Sequence, residues 1–258
     1  MSDDVVLTTV HDRVGVITLN RPEKRNALNR AVQKALPEAI RTFDADDAVD
    51  VMVLTGADPA FSAGVDLKDI AAGGSDLVSP HVTQRGPFPP HAKPLIGAIN
   101  GVAVTGGLEL ALNCDFLVAS ELARFADTHA RVGILPGWGL TVLLPQAVGI
   151  RRARQMSATG NYVDASTALQ WGLVNEVVPH GDLLPRALQL GADIASNDQG
   201  AVRRLFGVYA EVTDGLPADG WAVEARSAHD WLKEQHDPAE VERRRAGIMA
   251  RGRAQQQG

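Results

Sequence analysis

The chain has 258 residues, 45% of them apolar and 22% charged, a balance that supplies an ordinary globular core and excludes wholesale disorder. A formal net charge of -6 speaks against nucleic-acid binding, no apolar run approaches the roughly 18 residues of a membrane span, and the N-terminal Met1-Ser2-Asp3-Asp4 is acidic where a secretory signal is basic, so a cytoplasmic protein with no membrane partner is expected. The single Cys114 excludes an intrachain disulfide and cannot build a cysteine metal site, and no metal is expected.

The opening reads as a hairpin: Val5 to Val10, a polar turn at His11-Asp12-Arg13, then the β-branched run Gly15 to Asn20. Arg21-Pro22 breaks the pattern. Asn29 is placed to cap a helix over 30–43, with Val32, Leu36, Ala39, Ile40 and Phe43 at helical spacing. Asp50 to Gly56 is a buried-strand candidate, and a short helix is expected from Asp66 to Ala72. The stretch Gly73 to Ala92, with four prolines and little periodicity, reads as a functional loop or lid. Pro94 to Val104 looks like one nearly continuous apolar strand, followed by a helix over 106–113 and short strands at 114–120 and 123–127. From Gly139 onward the reading turns helical, at 139–146, 150–158, 164–171, 182–196, 199–213, 221–234 and 238–251, with only Leu173 to Val178 extended. The sum is an α/β protein of repeated ββα units, with a core over 1–195 and a helical region over 196–258. Arg243, Arg244, Arg245, Arg251 and Arg253 crowd the C-terminus, either as a solvated helix face or as a contact for phosphate or a neighbouring subunit.

Several separated segments carry the chemistry. They are Leu19-Asn-Arg-Pro-Glu-Lys-Arg-Asn-Ala-Leu28, Ala60-Phe-Ser-Ala-Gly-Val-Asp-Leu67, Asn100-Gly-Val-Ala-Val-Thr-Gly-Gly-Leu-Glu-Leu110, and the landmarks Gly133-Ile-Leu-Pro-Gly-Trp-Gly139, Thr159 to Ala165 and Gly172 to Val178. Their order and content resemble the enoyl-CoA hydratase/isomerase (crotonase) superfamily over most of the chain. The resemblance implies a spiral of ββα repeats with a helical C-terminal trimerisation region, hence a homotrimer or homohexamer. It also implies an acyl-CoA thioester as substrate and no separate cofactor, coenzyme A being part of that substrate. By positional match the Val65 and Gly106 amides supply an oxyanion hole. Enolate chemistry needs two such donors fixed before charge develops, and loss of one typically costs about 10²–10³ in rate. Amides at helix N-termini suit the task because they are unpaired and face the positive end of the dipole. The resemblance further places Arg25 near the CoA phosphates and the Ala27 backbone near pantetheine. It assigns the run Ala63, Val65, Asp66, Leu67, Lys68 to main-chain contacts with adenine.

Hydratases of this superfamily use two glutamates, one in the Gly-Gly-x-Glu helix and one 20 residues further on. Glu109 matches the first, and on a helix otherwise made of Leu108, Leu110, Ala111 and Leu112 a carboxylate needs either an arginine partner or a proton-transfer task. The second position is His129. Imidazole can do acid–base work near neutral pH, so His129 either transfers protons or only lines the pocket, and Asp127 and Arg131 stand close enough in sequence to pair with it or with each other. Trp138 occupies a position where a smaller residue is common in the superfamily and implies a narrowed acyl pocket or an aromatic wall. Three functions are therefore carried forward: hydration of a 2-enoyl-CoA by Glu109 with His129, isomerisation by Glu109 alone, and acyl-CoA binding without turnover.

Overall fold

The structure, a computed structural model, describes residues 4–66, 86–214 and 218–235, together with residues 247 and 253. Leu67, Lys68, the helix expected to run on to Ala72, most of the 73–92 loop and, residue 247 apart, the 238–251 helix with its arginines lie outside the described residues.

A six-stranded sheet takes β1 (Val6–His11), β2 (Val14–Leu19), β3 (Val51–Gly56), β5 (Leu95–Ile99), β7 (Phe116–Ser120) and β10 (Glu176–Val178) in that spatial order. A four-stranded sheet takes β4 (Ala60–Ser62), β6 (Val102–Val104), β8 (Arg124–Ala126) and β9 (Val163–Asp164). Among the described residues only the β1–β2 hairpin and the β8–β9 pair are antiparallel. The pairs β3/β4, β5/β6 and β7/β8 each send their first strand to the large sheet and their second to the small one, which makes the spiral of ββα repeats.

The expected single strand from Pro94 to Val104 is therefore two. The split falls at Asn100, whose Oδ1 accepts from the Gly56 amide at 3.2 Å while Nδ2 donates to Asp58 Oδ1 at 2.9 Å and the Ala60 carbonyl at 3.3 Å. One side chain thus ties the β3–β4 corner to the β5–β6 corner, a polar cross-link that an apolar strand interior could not provide. Two further strands, β4 and β9, have no counterpart in the reading of the sequence. At two or three residues each, they are too short for periodicity to register, and Val163–Asp164 interrupts a region read as helical.

Helix α1 (Arg30–Ala45) starts on Asn29, whose side chain accepts from the Val32 amide, and ends on Lys93, whose Nζ donates to the Phe43 and Asp46 carbonyls at 2.7 Å. It buries Val32, Leu36, Ile40 and Phe43 against one face of the large sheet. The other face, formed by Val14, Val16, Val51, Val53, Ile96, Ala98 and Val118, is covered by Leu183 and Ala187 from a helix over Leu183–Ala195. Cover on both faces is why β3 and β5 are apolar without alternation. The remaining helices are α2 (Gly106–Leu112), α3 (His129–Val132), α4 (Leu140–Val148), α5 (Ile150–Thr159), α6 (Ala165–Trp171), α7 (Leu183–Ala195), α8 (Gln199–Asp214) and α9 (Ala218–Gln235). No helix among the described residues is long and apolar enough to cross a membrane.

Candidate active site

The early loop is built by Asn26. Buried and left-handed at φ 54°, it accepts from the Arg21 amide at 2.8 Å and donates to the Ala57 and Ala60 carbonyls at 2.8 and 2.6 Å. Its own carbonyl takes the Ser62 hydroxyl at 2.8 Å. The loop then runs beside the 63–66 segment as a parallel bridge between Leu28 and Val65. Ala63 N donates to the Arg25 carbonyl, Leu28 N to Gly64 O, and Asp66 N to Leu28 O. Arg21 closes the pair, with Nη1 on the Ala27 carbonyl at 2.5 Å and 3.5 Å from Asp66 Oδ2. The Ala63 and Asp66 amides are thus engaged within the protein. Asp66 itself is not helical. Lys24 and Arg25 are exposed, Arg25 in a left-handed turn at φ 49°.

In this parallel bridge Leu28 uses both its N–H and its C=O, on Gly64 and Asp66, and the N–H of the opposed Val65 points out of the ladder. Among the described residues no group accepts from Val65 N, and none accepts from Gly106 N at the first position of α2. The two are brought together by glycines. A Cβ at Gly107 would stand 2.3 Å from the Ser62 carbonyl, so α2 rests directly on β4, and a Cβ at Gly64, which is at φ +81°, would stand 3.1 Å from Gly106 N. The position of a Gly106 Cβ lies 3.4 Å from Val65 N and 3.2 Å from the Trp138 ring, placing both amides and the indole around one small space. Thr105, just before Gly106, holds φ 54° and ψ −120°, a strained conformation for a β-branched residue of order 1–3 kcal/mol. It is held there by its amide on the Ala126 carbonyl and its hydroxyl 2.5 Å from that of Thr128.

Glu109 and His129 meet beside this space. His129 Nε2 lies 3.3 Å from Glu109 Oε2, and both side chains are buried. The other ring nitrogen, Nδ1, is 2.6 Å from Asp127 Oδ1, which also accepts the His129 amide at 3.1 Å. Of the pairings open in the sequence, the observed one is His129 with Asp127; Arg131 turns away to the Thr159 carbonyl and Asn161 Oδ1. Ionised carboxylates only accept, so a carboxylate on each ring nitrogen selects the doubly protonated imidazolium. Burial alone pulls His129 down, but the hydrogen bonds and charges of Asp127 and Glu109 outweigh it and raise the group to about 9. Burial pushes Asp127 up, and the hydrogen bonds from His129 and Ser157 with the imidazolium charge bring it below its ordinary value.

The second oxygen of Glu109, Oε1, accepts the Trp138 amide at 2.7 Å, and Asn113 Nδ2 holds the Trp138 carbonyl at 2.8 Å. A third carboxylate, Glu224 of α9, is buried next door on the Gly139 and Thr141 amides. Nothing in its sequence neighbourhood distinguishes it from a charge on a solvated helix face. Among the described residues no group of three or more His, Cys, Asp and Glu is arranged to hold a metal ion.

Residues 9–240 match the model of the family described as Enoyl-CoA hydratase/isomerase. The chain belongs to the enoyl-CoA hydratase/isomerase family. Among members of this family it is 42% identical to a probable peroxisomal enoyl-CoA hydratase of Arabidopsis thaliana over 80% of this chain and 77% of the plant protein. Its fold superposes on an enoyl-CoA hydratase from Mycobacterium tuberculosis with a TM-score of 0.82 at 50% identity, covering 89% of this chain and 98% of the other. A monofunctional enoyl-CoA isomerase from Mycobacterium smegmatis is also similar, with a TM-score of 0.69 at 31% identity over 84% of this chain and 98% of the other. The family supplies the common chemistry, that of acyl-CoA thioesters.

Proposed function

We propose that the protein is an enoyl-CoA hydratase, adding water across the double bond of a 2-enoyl-CoA. The observation that carries the reading is the 3.3 Å approach of two buried acid–base side chains, Glu109 and His129, from different elements. In this reading the thioester oxygen lies between the Val65 and Gly106 amides and draws charge from the conjugated system as the enolate forms. Glu109, ionised, takes a proton from water, and the water oxygen bonds to the β-carbon. His129, as the imidazolium, gives its Nε2 proton to the α-carbon. Direct transfer of the new Glu109 proton to the neutral His129 Nε2 restores the starting state, so protons balance without a further acid. The exposed Lys24 and Arg25 are in place to meet the CoA phosphates, and Trp138 walls the acyl group beside the oxyanion amides. The greater likeness to the tuberculosis hydratase than to the smegmatis isomerase supports the same choice.

The deciding experiment follows the conjugated thioester absorbance with crotonyl-CoA and with a 3-enoyl-CoA. Hydration predicts loss of absorbance on the first. Glu109→Gln keeps the shape, removes the base and is expected to abolish turnover, while His129→Ala is expected to lower hydration by about 10²–10⁴. An isomerase using Glu109 alone would act on the 3-enoyl substrate and be only mildly affected by His129→Ala. Tight acyl-CoA binding with turnover of neither substrate would identify a binding protein.

A further inference from the structure

We propose that Glu224 is a positioning residue for Glu109: from α9 it fixes the peptide at 138–139, and the preceding amide, Trp138 N–H, orients the Glu109 carboxylate. Glu224 is 5% exposed, and its Oε1 accepts the Gly139 amide at 2.5 Å while Oε2 accepts the Thr141 amide at 2.6 Å and the Thr141 hydroxyl. These are the cap and first-turn donors of α4, whose cap residue Gly139 has no side chain to satisfy them. A carboxylate from another helix does the work that a Ser or Asp at the cap would do locally. Docking α9 needs no buried charge, since apolar contacts would serve. What the carboxylate adds is direction.

The peptide unit between Trp138 and Gly139 is planar, so its N–H and C=O turn together. Glu224 grips the Gly139 N–H and Asn113 Nδ2 grips the Trp138 carbonyl at 2.8 Å, so both ends of this peptide are held. The preceding amide, Trp138 N, then meets Glu109 Oε1 at 2.7 Å, and with Oε1 occupied Oε2 is the oxygen presented to His129. Two aromatic side chains of α9 reach the same segment. The Trp221 ring lies over Gly139, 2.2 Å from where a Cβ would stand, and Trp231 Nε1 donates to the Gly133 carbonyl at 2.8 Å. The helix therefore holds both ends of the 133–139 turn and covers the Glu224 bonds with an aromatic ring. Burial raises Glu224 from its ordinary value, the bond from Thr141 opposes this, and the neighbouring Glu109 charge adds to it, which places the two carboxylates within electrostatic reach of each other.

The activity half of the test rests on the hydratase reading, and the structural half does not. Full-length Glu224→Gln keeps the side-chain size but turns an amide NH₂ toward the donors of Gly139 or Thr141. It is expected to lower kcat by on the order of 10²-fold, the effect of small misplacement of a reacting group, with KM for crotonyl-CoA little changed. In its crystal structure Trp138 N is expected to stand beyond hydrogen-bond distance of Glu109 Oε1, and Glu224→Asp is expected to recover part of kcat. If Glu224→Gln does not fold, Thr141→Val removes one donor alone and is expected to lower kcat to a smaller degree at unchanged KM. Wild-type kcat in the variant that folds overturns the proposal even if its melting temperature falls, since that is a structural role only. A Trp138–Glu109 hydrogen bond of wild-type length in the variant overturns it as well. A wild-type protein inert on every enoyl-CoA overturns the hydratase reading instead, and the crystallographic distance still decides the role of Glu224.

Discussion

His129 is a buried cation whose charge is maintained by two neighbouring carboxylates, and this makes stability depend on pH. Its folded value of about 9 lies above the ordinary 6.5, so its contribution is present in full below 6.5 and is lost as pH rises through about 9. Asp127 works in the opposite sense: its lowered value contributes above the ordinary 3.8 and is lost as pH falls through that lowered value. The melting temperature of the wild type is therefore expected to decline between pH 6.5 and 9 more steeply than that of His129→Ala. Equal slopes in the two proteins would show that His129 does not titrate in that window. Glu109 and His129 are both legible in the sequence, the first because a carboxylate interrupts an apolar helix, the second by its motif position. Glu224 is not, because Trp221-Ala-Val-Glu-Ala-Arg-Ser227 is an ordinary amphipathic pattern and only the docking of α9 on the 139–141 turn buries it.

At the scale of the element, α2 does two separable things through two adjacent glycines. Gly107 lets the helix lie on β4, where a Cβ would meet the Ser62 backbone carbonyl at 2.3 Å, whereas a Cβ at Gly106 would meet only side-chain atoms and Val65 N at 3.2–3.4 Å. Gly107→Ala is expected to force helix and strand apart and to destabilise by about 1–3 kcal/mol, as overpacking does. Gly106→Val is expected to leave the melting temperature nearly unchanged and abolish turnover by filling the space at Val65 N. Thermal melts and crotonyl-CoA assays of the two variants check this, and a Gly106→Val protein with wild-type turnover would remove the oxyanion assignment. The longer elements are legible because period and caps agree, as in α1 with Asn29 before it. The division of 94–104 into β5 and β6 is not, since both halves are equally apolar and the corner is made by Asn100 reaching partners 40–44 residues away.

On the scale of the whole molecule, α8 has no buried residue over 199–211, and an isolated helix of this length is marginal in water. Leu205, Val208 and Tyr209 fall at i, i+3 and i+4 on one face and are 57%, 37% and 67% exposed, and Val223 and Trp231 of α9 add 52% and 40%. An apolar face of this kind on two successive helices marks a contact surface. The occupant we propose is a second copy of the chain, in the homotrimer or homohexamer that the sequence resemblance implies, closed as a ring so that no face is left open. Light scattering at micromolar concentration is expected to give three chain masses, or six for a pair of trimers, and Leu205→Asp with Tyr209→Asp to give one. Because α9 also carries Glu224 and Trp221 onto the 138–141 turn, loosening this helical pair is expected to reach the active site. The monomeric variant should then lose turnover together with assembly, and a fully active monomer would show that the helices hold the turn without help from a neighbouring copy.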